Sequence, residues 1–61
     1  MKPYVVEMLL ADGSWWTVPG YEFDTLDEAA EAWRSIPEED RGRHRVSVIV
    51  YHYEPVPEGL L

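Results

Sequence analysis

The chain predicts an α+β fold of ββαβ order, a three-stranded antiparallel sheet (order 2-1-3) packed on one helix. Three observations carry this. Asp12-Gly13 lies between two apolar runs, Thr25 precedes Glu28 by three positions at the head of a helical apolar pattern, and His44–Tyr53 is rich in β-branched and aromatic residues. With 61 residues there is room for one domain. Residues 1–54 form the expected ββαβ domain and 55–61 a proline-rich tail.

Tyr4 to Ala11, YVVEMLLA, is an almost unbroken apolar run of strand length, suited to a central strand. Asp-Gly is a strong signal for a tight hairpin, because both turn residues tolerate positive φ. Ser14 to Val18 is the second strand, stopped by Pro19-Gly20. Thr25 and Glu28 make a capping box, and Leu26, Ala29, Ala30, Trp33 and Ile36 recur on one helical face. Pro37 disfavours helical geometry at Ile36 and ends the helix there. After a polar loop, His44–Tyr53 is the third strand. The helix returns the chain so that this strand lies antiparallel to the first, which leaves the most apolar strand in the middle.

A two-residue Asp-Gly bend pairs Leu10 with Trp15 and Leu9 with Trp16. One face then holds Tyr4, Val6, Met8, Leu10, Trp15 and Thr17; the other holds Val5, Glu7, Leu9, Ala11, Trp16 and Val18. Glu7 assigns the second face to the uncovered side. Val46, Val48 and Val50 are expected to complete the helix-side core, while Arg45, Ser47, Ile49, Tyr51 and Tyr53 join the second face, where Arg45 neutralises Glu7. The uncovered side would expose Val5, Leu9, Trp16, Val18, Ile49, Tyr51 and Tyr53, an apolar patch that calls for a cover. The candidates are the tail itself through Val56, Leu60 and Leu61, a second copy of the chain in a homodimer, or a different protein.

The chain carries 12 acidic and 5 basic residues, a net charge of -7, which opposes binding to nucleic acid or anionic membrane. No Lys or Arg falls between Pro3 and Trp33, whereas Arg41, Arg43 and Arg45 cluster. Those arginines beside an aromatic sheet face superficially suggest single-strand binding, but the acid excess weighs against it. Asp24, Asp27, Glu28 and Glu31, with Glu38, Glu39 and Asp40, form an acidic surface that suits a basic protein partner. The plain alternative is an ordinary solvated helix face.

No cofactor or metal site is expected. His44 and His52 share strand parity but lie roughly 26 Å apart along an extended strand. The chain has no cysteine, and no serine has an evident histidine base, so the reading is non-enzymatic. MKPYVVEMLLADG is too short and too charged for a leader or a membrane span, and a cytoplasmic protein is expected.

A strand, DGSWW, a short turn, TLDEAAEAW and a β-branched strand, between Tyr4 and Tyr53, are similar to small uncharacterised ββαβ accessory proteins of bacteriophages and high-GC bacteria. The resemblance implies a protein that binds and modulates, or inhibits, a host protein such as a defence nuclease or polymerase. It carries over no catalytic residue. The expected function is a small acidic interaction module, with a purely structural homo-oligomeric building block as the alternative.

Overall fold

A computed structural model describes residues 2–61. The elements run β1 (Tyr4–Leu9), β2 (Trp15–Phe23), α1 (Leu26–Arg34), α2 (Glu38–Arg41), β3 (His44–Ile49) and β4 (Tyr53–Pro55), closed by a 3-10 turn at Glu58–Leu60. The sheet is four-stranded and antiparallel in the order β2-β1-β3-β4. This corrects the expected three-stranded ββαβ sheet, and the correction lies at the C-terminal end.

The segment His44–Tyr53 is not one strand. It reverses at Val50–His52, and Tyr53–Pro55 pairs back on β3 with Ile49 opposite Tyr53 and Ser47 opposite Pro55. Without this return, β3 would carry a free row of backbone donors and acceptors. Pro55 has no N–H to give, which is tolerated because β4 is the edge. Val50 therefore sits exposed in the turn, not in the core.

The first hairpin also departs from expectation. Leu10 N–H donates to Ser14 C=O at 2.8 Å and Gly13 N–H to Leu10 C=O at 3.0 Å, so the bend holds Ala11, Asp12 and Gly13. Only the glycine takes positive φ, at 87°; Asp12 does not. A two-residue bend would need both in the left-handed region, and the extra residue removes that demand from aspartate. Asp12 instead accepts the Ser14 N–H on its side chain at 2.9 Å. Leu9 now faces Trp15, and Met8 faces Trp16.

Beyond Thr17 the edge strand does not stop at Pro19-Gly20. It bulges, with Glu7 opposite Thr17 but Val5 opposite Glu22, and resumes to Phe23. Gly20, at φ 82°, supplies the backbone reversal, and Pro19 sits where no ladder N–H is required. The bulge returns Phe23 to the helix side, where Tyr21 meets it edge to face at 6.3 Å.

Helix α1 starts as its sequence dictates. Thr25 is extended, its hydroxyl oxygen accepts the Glu28 N–H, and Glu28 Oε1 accepts the Thr25 hydroxyl. At the far end Arg41 donates to the carbonyls of Arg34, at 2.6 Å, and Ile36, at 2.9 Å. A cation there satisfies orphan carbonyls and opposes the negative end of the helix dipole. Ala29 meets Val6 and Val46 at the core centre, with Tyr4, Val18, Phe23, Leu26, Trp33 and Ile36 around them. Val56 and Leu61 close the same core, so the tail covers the helix side and leaves the opposite sheet face alone.

Candidate functional site

The face away from α1 is closed by its own side chains. Glu7, 2% exposed, lies on β1 directly opposite Arg45 on β3. Its Oε1 accepts the Arg45 Nε–H at 3.0 Å and the Ser47 hydroxyl. Continuing across the central strand, the Arg45 guanidinium lies over the Trp15 ring of β2, 4.2 Å from its centroid. One side chain thus links β3, β1 and β2 through an ion pair and a cation–π contact. Trp15, Leu9 and Ile49 are half-buried and Val5 is fully buried on this face.

The residues expected to form one patch are consequently divided. Val5, Leu9, Ile49 and Tyr53 lie on the face away from the helix, with Tyr53 on the edge strand. Val18 packs into the helix-side core. Tyr51, 98% exposed, stands at the tip of the β3–β4 turn. Trp16 is on the helix side, one residue out of the phase expected, because the bend has three residues where two were expected.

Trp16 is nonetheless the most exposed of the tryptophans, at 64%. Ala29 covers the row of Val6 and Val46; in the next row along the sheet, Trp16–Met8–His44, α1 reaches the His44 end, where the Trp33 Nε1–H donates to the His44 carbonyl at 3.4 Å and His44 is half-buried. Met8 is also exposed. The indole Nε1–H donates to Ser14 Oγ at 3.1 Å, and the Ser14 hydroxyl donates to Asp12 Oδ1 at 2.6 Å. These bonds from the Ser14 hydroxyl and then its backbone N–H hold the Asp12 carboxyl below the ordinary carboxylate range. At the other end of the row His44 Nδ1 is 2.8 Å from the Asp40 carbonyl oxygen.

Asp24, Asp27, Glu28, Glu31, Glu38, Glu39 and Asp40 are all exposed. Among the described residues the one Arg or Lys pair with an acid is Arg45–Glu7, and His52 lies 3.3 Å from Glu54, so none of these acids is neutralised by a neighbour. Three of the four arginines bond elsewhere, Arg45 to Glu7, Arg41 to the end of α1, and Arg34 to the Leu61 carbonyl oxygen, while Arg43 is exposed. Among the described residues there is no pocket, and no group of His, Asp and Glu is placed to hold a metal ion. No helix is long and apolar enough to cross a membrane.

Sequence reasoning missed the Asp12–Ser14–Trp16 relay and the Arg45–Trp15 stack. The first had a readable signal, since aspartate two residues ahead of serine in a turn favours a side-chain-to-backbone bond. The second depended on the hairpin phase. Comparison with known protein families, with curated proteins and with solved structures gives no match for this chain.

Proposed function

We propose that this chain is a small, acidic, non-enzymatic interaction module of the cytoplasm whose partner is a basic protein. Its carboxylates take the place of nucleic-acid phosphates on that protein and so modulate it. The observation that carries the reading is the excess of acids on the helix layer that have no ion-pair partner among the described residues. Arg34, Arg41 and Arg45 bond within the fold, whereas the acids of α1 and α2 face solvent unpaired. The helix layer carries seven of the twelve acids, Asp24 included, against Arg34 and Arg41, so most of the chain's net charge of -7 lies there. Such a field speeds encounter with a basic surface and penalises acidic ones.

The test compares two charge reversals of equal size using oligolysine as the probe. Asp27→Lys, Glu28→Lys and Glu31→Lys together should weaken binding by about thirtyfold at low salt, and the affinity should fall with added salt. Glu22→Lys, Glu54→Lys and Glu58→Lys together, away from α1 and α2, should weaken it by less than about threefold. Equal losses in the two variants would reduce the surface to bulk charge and defeat the reading.

A further inference from the structure

The row Trp16–Met8–His44, exposed at Trp16 and Met8 and half-buried at His44, has properties that an incidental apolar surface lacks. Its large ring is oriented. With Nε1–H bonded to Ser14, and Ser14 bonded to Asp12, the indole is held by the turn beneath it. A ring fixed in this way loses little side-chain freedom when a partner covers it. Tryptophan also offers more apolar contact area than other side chains, which is why it is enriched at the centres of interfaces.

The row is also bounded by acid at both ends. Asp12 lies under the Trp16 end, bonded to Ser14, and at the His44 end the Asp40 backbone carbonyl meets His44 Nδ1, which brings the acidic residues Glu38–Asp40 of α2 next to the row. Neither end is neutralised among the described residues. Three neighbouring strands span roughly 10 Å, about two turns of an α-helix. The complementary segment therefore carries an apolar side chain at its centre and Lys or Arg about one turn away on each side. A second copy of this chain does not match that description. It brings a net charge of -7 of its own, and its arginines are largely held within the fold.

We infer that Trp16, held by Asp12 and Ser14 beside Met8, is the apolar anchor on which the protein docks a basic amphipathic helix of its partner. Asp12 and the Glu38–Asp40 turn receive the cations of that helix. This rests on the reading of the chain as a module for a basic protein, and the test separates the two. Two probes are titrated into the intact protein: an amphipathic lysine–leucine peptide of about five helical turns, and oligolysine, which has charge but no apolar side chain. Trp16→Ala should weaken the lysine–leucine peptide by at least about tenfold and leave oligolysine within about twofold. Ser14→Ala, which frees the ring but retains it, should weaken the same peptide by about threefold.

The indole N–H resonance of Trp16 should shift on adding the lysine–leucine peptide, and far-ultraviolet circular dichroism should show both variants folded. If Trp16→Ala alters the fold, Ser14→Ala and the resonance shift decide. Unchanged peptide affinity in the folded variant, or an unmoved indole resonance, overturns the anchor, while oligolysine binding that depends on Asp27, Glu28 and Glu31 still supports the wider reading. Oligolysine binding that does not depend on Asp27, Glu28 and Glu31 defeats the wider reading instead. A dimer in sedimentation that Trp16→Ala dissociates would assign the row to a second copy and overturn the inference.

Discussion

Glu7 is a buried carboxylate in an inner strand of a small sheet, and burial without partners would cost several kcal/mol. Arg45 and Ser47 both reach its Oε1, and Trp15 shields the guanidinium from the other side. The Arg45 side chain keeps 27% of its surface exposed, so the pair falls short of the fully buried case. Glu7→Ala should therefore destabilise the protein by about 2 kcal/mol in urea unfolding, below the range for a wholly buried pair. A cost under about 0.5 kcal/mol would show that the cluster only decorates the sheet. The Glu7–Arg45 pairing was legible, since strand parity placed both on the same face. The ring that completes it was not, because a one-residue change of phase exchanges Trp15 with Trp16.

Among the elements, those with local punctuation were readable. Thr25 and Glu28 mark the start of α1, and its N-cap geometry follows from those two side chains. The reversal at Val50–His52 had no such mark, for Val50, Tyr51 and His52 contain none of the residues that favour turns. What decides it is the edge of β3, which a ten-residue strand would leave open and which Tyr53–Pro55 covers. The same return explains the tail: Val56 N–H donates to Val46 C=O at 2.8 Å and its side chain enters the core. Val56→Asp should accordingly cost about 2–3 kcal/mol and lower the protection of the β3 amides in hydrogen exchange. A neutral effect would make the last residues a loose appendage.

At the scale of the whole molecule the two sheet faces have different roles. One is closed on itself by Glu7, Arg45 and Trp15; the other carries the helix, the acids and the exposed Trp16 row. Acids and anchor thus share a side. A sequence reading that alternates side chains correctly but counts two residues in the bend sends Trp16 to the opposite face and separates it from Met8. Composition revealed the acid excess, but only the structure shows that, among the described residues, no Lys or Arg forms an ion pair with the acids of α1 and α2. This arrangement depends on the phase of the first hairpin, which a proton NMR experiment reads directly. Leu9 N–H points to the carbonyl of Arg43, the residue just before β3, so Leu9 and Trp15 form a non-hydrogen-bonded pair, in which the Cα atoms approach to about 4.5 Å. The structure predicts a strong Overhauser contact between the Hα protons of Leu9 and Trp15. A contact pairing Leu10 with Trp15 instead would return Trp16 to the far face and contradict the account.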